Sequence, residues 1–360
     1  MTDPSPLRVA RTTGALLLVL LVVLGCLSLT RSGMSRFTPR EVAQGLGALV
    51  GLSDSLPQSR QIIFGLLVRQ TLVAAGVGAA LAYSGALLQG VFRNGLASPS
   101  ILGITSGASL GATLAILLVG GYAGAADWLE VAAKNSPLIV TAGGFIGAVA
   151  VALLVAIIGG GAGRVSVPTL LLVGIAVNAC LNGIIVAVTA WLVEHDWQVS
   201  RAVFHWSFGS LSDKSWTQVW LVWVGIALAA AVYPWVSREL DLFAGGEEDA
   251  EGLGVHTRRV KLTVLLAASL AAASAVAVAG QIAFIGLIVP HLVRLVVGNG
   301  HRALLPLSLL CGAVFLLGAD VGQRWLLGHE QFRPGVILSL LGGPFFLGLL
   351  VARRREVRTW

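Results

Sequence analysis

Charge is scarce in this chain: only 11% of its 360 residues are Asp, Glu, Lys or Arg. A soluble domain of this length carries about a quarter, so a water-surrounded globule is excluded. Cysteine is nearly absent. Cys26, Cys180 and Cys311 lie far apart in apolar runs, without metal-ligand spacing, which rules out a disulfide framework and reads as buried, inert thiols. No Gly-x-x-x-x-Gly-Lys-Ser/Thr loop occurs, so the chain does not hold ATP through a phosphate loop. No His-Glu-x-x-His occurs either, and of six scattered histidines only His291 falls in an apolar run. An enzyme has nothing to work with here. The only acidic residue associated with an apolar run is Asp320, near the end of its run. An ion-coupled carrier usually keeps a carboxylate at mid-membrane, so this absence counts against ion coupling.

What fills the chain is hydrophobic sequence, 56% of all residues. Ten apolar runs are of membrane-crossing character, at about 14–30, 62–89, 96–120, 138–160, 168–193, 216–236, 263–280, 282–298, 303–321 and 335–352. A span needs roughly 20 residues. The expected fold is therefore an all-α polytopic membrane protein, with residues 1–360 forming a single transmembrane domain in a lipid bilayer. Val23-Leu24-Gly25-Cys26 imitates a lipoprotein cleavage site, but with nine runs following it is read as part of the first span. The 45 glycines cluster inside the runs. Gly103, Gly107 and Gly111, like Gly143 and Gly147, recur every four residues, the spacing that lets helix backbones approach in lipid.

Arginine and lysine set the expected orientation. With both termini inside, the cytoplasmic side holds the short-loop cations and the tail Arg353, Arg354, Arg355 and Arg358, the larger share of the 24 basic residues. The net charge of +7 is thus a topology signal, and nucleic acid is not an expected partner. Residues 31–61 and 194–215 become outside loops. Thr38 and Pro39 mark a helix start in the first, and Trp191, Trp197, Trp206 and Trp216 form an interfacial belt around the second. Residues 238–262 form the longest cytoplasmic loop. Within it Glu247, Glu248, Asp249, Ala250, Glu251, Leu253 and Gly254 make a short helical run bounded by glycines. Such a run is either a solvated connector or a docking helix, with Ala250 and Leu253 on one apolar face.

Neutral polar residues punctuate the runs: Gln89, Asn178, Asn182 and Gln281. Asn178 and Asn182, one helical turn apart, face a pathway or bond a neighbouring helix. Between the second and third runs lies a short polar hinge, Arg93-Asn94-Gly95, with Pro99 and Gly103 beyond it.

These residues resemble the iron–siderophore, haem and vitamin B12 permeases, the membrane halves of type II ABC importers. The likeness rests on Gly78-Ala-Ala-Leu-Ala82, Ser84-Gly85, Gln89, Arg93-Asn94-Gly95-Leu96-Ala97-Ser98-Pro99 and Leu102-Gly103. It continues through Glu247 to Val255 and through Phe284, Gly286, Leu287, Pro290, His291 and Arg294. Further matches are His301-Arg302, Leu305-Pro306, Asp320 with Arg324, and Gly343-Pro344-Phe345-Phe346.

The resemblance implies an inner-membrane permease that pairs with a second copy or homologue and carries no catalytic residue. It implies two ATP-binding-cassette ATPase subunits, which hold the ATP and Mg²⁺, and a periplasmic or lipoprotein substrate-binding protein. No cofactor or metal is expected on this chain itself. By the same likeness Glu247, Glu248, Asp249, Ala250, Leu253 and Gly254 contact the ATPase, and Arg324 grips a carboxylate of the binding protein, as an arginine fork does well. Gln89, Arg93, Asn94, Gly95, Pro99, Asn178, Asn182, Pro290 and His291 are assigned to the hinge and pathway. The Ala97-Ser-Pro-Ser-Ile-Leu-Gly wording resembles the siderophore permeases, with haem or cobalamin as the nearest alternative. Three departures stand out. Gln70 replaces the second arginine of the family's Arg-x-Pro-Arg, leaving Arg69 or Arg60 as substitute docking residues. Gly95 replaces the proline of Arg-Asn-Pro and loosens the hinge. Pro334-Gly335 lacks the residue usually between them.

Overall fold

The computed structural model describes residues 6–32, 35–49, 51–52, 56–122, 136–159, 167–326 and 334–352. Among these, fourteen helices and one small hairpin make an all-α bundle. They are α1 (Pro6–Leu29), α2 (Pro39–Leu49), α3 (Gln58–Phe92), α4 (Ile104–Leu117), α5 (Ser136–Gly159), α6 (Val167–His195) and α7 (Trp197–Ser207). Then follow α8 (Trp216–Ala230), α9 (Tyr233–Phe243), α10 (Glu247–Gly252), α11 (Thr257–Ala279), α12 (Ile285–Val297), α13 (His301–Leu326) and α14 (Pro334–Ala352). Strands β1 (Arg31–Ser32) and β2 (Ser35–Arg36) pair antiparallel between α1 and α2.

Every predicted apolar run falls on a helix. Six helices, α1, α3, α5, α6, α11 and α13, are long and apolar enough to cross a membrane, while α4, α12 and α14 are shorter. The run at 216–236 differs from expectation: it breaks into α8 and α9, bent by 56°. Polar residues begin at Ser237, and α9 buries only one face, through Val236, Ser237, Leu240 and Phe243. The third run is shorter than expected, because the chain from Asn94 to Gly103 is spent on turns before α4 starts.

Helix starts follow local chemistry. Thr38 and Glu41 cap α2 reciprocally: Thr38 N–H donates to Glu41 Oε2 at 2.9 Å and Glu41 N–H to Thr38 Oγ1 at 3.3 Å. Ser215 and Gln218 do the same for α8, and Asp196 caps α7.

Helix α3 is the axis of the bundle. From Val73 to Phe92 all of its residues are buried, packed among α8, α11, α12 and α13. Its neighbours come close because glycines meet there. A Cβ on Gly78 would lie 2.1 Å from the Gly312 carbonyl oxygen of α13, and one on Gly111 in α4 the same distance from that of Gly143 in α5. Gly107 and Gly147 repeat the α4–α5 contact one turn along. Gly103 packs instead against Val151. With only apolar lipid outside, such backbone approach replaces hydrophobic driving force by dispersion contacts.

The thiols correct the sequence reading: Cys26 and Cys180 are exposed on the surfaces of α1 and α6, and Cys311 is half-buried. In membrane helices the apolar residues point outward as well as inward, so an apolar run does not place its cysteine inside. Helix α6 shows this most, since nearly all of its apolar length is uncovered.

Candidate functional site: hinge, charged loop and buried clamp

The start of α3 lies beside α2, where Phe37 and Phe64 meet edge to face. Its end lies beside α9, where Gly90 meets Leu240. These contacts define two faces, the α2 face and the α10 face.

At the α10 face α3 stops at Arg93, which takes a left-handed conformation (φ 49°). Arg93 N–H bonds the Gly90 carbonyl at 3.3 Å and Asn94 N–H bonds that of Gln89 at 3.2 Å, the paired reversal that usually employs glycine at the left-handed position. Asn94 Oδ1 then accepts from Leu96 N–H at 2.9 Å. Gly95 has open space around it, and Pro99 is buried against Gly286. Asn178 of α6 holds the far side of this turn. Its Nδ2 donates to the carbonyls of Ser100 (2.7 Å) and Ile101 (3.2 Å), and its Oδ1 accepts from Ser106 Oγ. Of the two alternatives for Asn178, the helix-bonding one is realised. Asn182 is exposed on α6.

The hinge is joined to the second motif. Gln89 Nε2 donates to the Gly286 and Leu287 carbonyls at 3.2 and 3.3 Å, while its Oε1 accepts from Arg294 Nη1. Gln89 therefore satisfies the Gly286 carbonyl, which Pro290 four residues on has no N–H to reach, and a partly buried cation at the last turn of α12. Pro290 is buried inside α12, and His291 beside it is half-buried. Arg294 was not singled out as a site residue. Its place eight residues after Gly286 in a motif and the lone amide at Gln89 were the available signals.

The charged loop is anchored from below. Lys261 of α11 is buried and pairs with Glu247, and Thr257 Oγ1 donates to Glu251 Oε1 at 2.7 Å. Ala250 is fully buried against the chain while Leu253 is 69% exposed. The expected apolar face of Ala250 with Leu253 is thus corrected. One residue seats α10 on α9 and α11, and the other projects outward with Glu248, Asp249 and Gly254, also exposed. Three residues span about 300° on a helix, but Leu253 lies just past the end of α10, where the chain turns toward Gly254 (φ 85°). An open groove lined by Glu251, His256, Arg258 and Arg259 adjoins it. On α9, burial pushes the Asp241 carboxyl up. Hydrogen bonds from the ring and backbone N–H of His301, with the His301 and Arg302 side chains nearby, outweigh this and hold it below the usual carboxylate value.

At the α2 face Arg324 is buried, with 4% exposure. Its Nη2 donates to Asp320 Oδ2 and Ser28 Oγ, each at 2.6 Å, its Nη1 to the Ser28 and Arg31 carbonyls, and its Nε to the Asp320 carbonyl. All five donors are occupied inside the chain, so in this arrangement Arg324 has no fork to offer an external carboxylate. The sequence showed the Asp320–Arg324 spacing but not Ser28, which closes the clamp from α1. Gln70 Nε2 reaches Asp320 Oδ1 at 3.0 Å. The amide standing where the family has an arginine thus joins the same cluster. Arg60 pairs with Glu41 of α2 and lies over Phe37, about half-exposed. Arg69 is half-buried on α3, its Nε without a hydrogen-bond partner.

A cavity of about 470 Å³ opens at the α2 face among α4, α5, α7, α8 and α11, where Gln218 donates to Thr141. Among the described residues no cluster of three or more His, Cys, Asp or Glu is arranged to hold a metal.

A close-packed multi-pass helical bundle, hinged at one face and carrying a charged loop there, is the architecture of a membrane permease. The FecCD transport family matches residues 17–352. The chain belongs to this family, the permease subunits of type II ABC importers. It is 40% identical over 312 residues to the cobalamin import system permease of Halobacterium salinarum, covering 85% of this chain and 78% of that one. It is also 40% identical over 291 residues to the hemin transport system permease of Yersinia pestis, covering 81% and 83%. A solved metal-chelate type ABC transporter in an inward-facing conformation superposes with a TM-score of 0.76 at 27% identity, covering 95% of this chain and 99% of that one.

Proposed function

We propose that this permease imports a bulky metal chelate into the cytoplasm, driven by two ATPase subunits seated at the α10 face and supplied by a binding protein at the α2 face. The observation that carries the reading is the α10 loop: anchored by Lys261–Glu247 and buried Ala250, it projects Leu253, Glu248 and Asp249 into solvent, a rigid shape for insertion into a partner's cleft. On this reading the α10 face and both termini are cytoplasmic, the membrane is the inner one, and a second permease copy or homologue completes the pathway. ATP and Mg²⁺ belong to the partner, and this chain contributes no catalytic group. Docking at the α2 face falls to Arg60 and Arg69, with Arg324 shaping that face from within.

The cargo taken from the sequence wording is a ferric siderophore. A macrocyclic chelate, haem or cobalamin, is the second reading, favoured by the two 40%-identical permeases named for those cargoes. Uptake by a strain lacking this chain, offered labelled ferric siderophore, haem and cobalamin in parallel, decides. Loss of one cargo alone identifies it. Unchanged uptake of all three, with expression shown in the parent and no redundant permease, overturns the importer reading.

A further inference from the structure

Asp241 and His301 bring α9, α13 and α3 together beside the hinge. Asp241 sits near the end of α9, six residues before α10 begins. Its Oδ1 accepts from the backbone N–H of His301 at 2.7 Å and from the ring Nδ1 at 2.8 Å. It thereby caps α13 and fixes the ring in one step. The ring is buried, 8% exposed as a side chain, and its far edge lies against α3. A Cβ built on Gly90 would lie 2.5 Å from His301 Nε2 and 3.3 Å from Leu240 Cδ1. Nε2 has no hydrogen-bond partner, so what touches Gly90 is shape, not a polar bond. Two turns earlier on the same side of α9, Tyr233 Oη donates to the Arg302 carbonyl at 2.9 Å.

We infer that the Asp241–His301 pair is the mechanical link from the charged loop to the α3 hinge: it carries displacement of α9–α10 through the imidazole onto Gly90. Gly90 is one turn before left-handed Arg93, where α3 ends. The buried anchors of the loop go to α11 through Lys261 and Thr257, and its start approaches α3 only at the exposed side chain of Arg93, 3.6 Å from a Cβ built on Gly246. Helix α9 reaches α3 through Leu240 and this ring. Asp241 and His301 are positioning residues and touch neither nucleotide nor cargo. The inference rests on the proposed ATP-driven import and names how its motor is felt in the membrane.

The test is coupling, measured on the intact permease with its ATPase and binding protein in liposomes. Haemin, cyanocobalamin and ferrichrome are offered as cargo probes, and cargo moved per ATP hydrolysed is read. Asp241→Ala and His301→Ala should leave the complex assembled and hydrolysing ATP, while cargo per ATP falls about tenfold, the scale set by losing one charge-assisted hydrogen bond. Asp241→Asn keeps an oxygen that accepts both N–H groups and should restore the ratio. Gly90→Ala, which displaces the ring without altering any polar atom, should reproduce the loss. If Asp241→Ala fails to assemble, Gly90→Ala and Asp241→Asn decide between them. A wild-type ratio in Gly90→Ala, or loss in Asp241→Asn equal to that in His301→Ala, overturns the link. A wild-type complex that moves none of the probes with ATP overturns the import reading instead, a separate outcome.

Discussion

Gly85 of α3 and Gly286 of α12 touch backbone to backbone. A Cβ placed on Gly85 would lie 1.8 Å from the Gly286 carbonyl oxygen and 2.6 Å from its Cα. A backbone carbonyl in the first turn of a helix held by Gln89 has little room to give. Gly85→Ala should therefore destabilise the permease by about 3 kcal/mol or more, the upper end for overpacking. Thermal unfolding in detergent reads this directly, and an unchanged transition would mean α3 and α12 are farther apart than they stand here.

Arg324→Ala strips five hydrogen bonds from a buried guanidinium and leaves Asp320 with only Gln70. Breaking one side of a buried pair costs about 3–5 kcal/mol. The variant should lose thermal stability and folded yield, while the fraction that remains folded binds its delivery protein with little change. Full stability together with lost docking would instead put Arg324 in the interface.

Two neighbouring glutamates should behave differently. Glu248→Lys reverses an exposed charge and should cut transport and ATPase association without altering stability. Glu247→Lys sets a second cation beside buried Lys261 and should also lower the unfolding temperature, since a like-charge pair replaces an attractive one. Pull-down of the ATPase alongside thermal unfolding separates them, and equal stability in both variants would remove the anchor role of Glu247.

Asp241 gives a pH dependence of definite sign. Its folded-state value lies below the ordinary 3.8, so its contribution is fully present above about 3.8 and is lost only as pH falls through the lower, folded value. The stability gap between wild type and Asp241→Asn should stay level from neutral pH down to that range and close only in stronger acid. A gap that closes between pH 8 and 6 would show that another group governs the α9–α13 contact.

The helices were legible in the sequence because lipid demands long apolar runs, and the four-residue spacing of Gly107 with Gly111 and of Gly143 with Gly147 marked faces fit for close packing without saying which helix meets which. The break between α8 and α9 had a signal in Pro234, which sits in the first turn of α9, but Val232, Tyr233 and Trp235 carry the apolar composition through the bend, and hydropathy carries no direction. The hinge at Arg93 was visible as Arg-Asn-Gly, yet its tie to Arg294 runs between residues 205 positions apart, a pairing no local pattern records. For Arg324 the sequence offered a motif but not the burial. Its motif names a residue type, and whether an arginine faces outward or folds back depends on Ser28, contributed by a helix with no motif of its own.

Helix α3 is 35 residues long, about 52 Å at ~1.5 Å per residue, against a hydrocarbon core of about 30 Å. One end meets α2 through Phe64, and the other meets the His301 ring at Gly90. On the proposed function, movement of this one rod would tie events at its two ends together thermodynamically. If nucleotide on the inner side shifts the rod, the affinity for the delivery protein outside must change by a fixed factor, and arrival of that protein must change nucleotide affinity by the same factor. Measuring either equilibrium would therefore give the other.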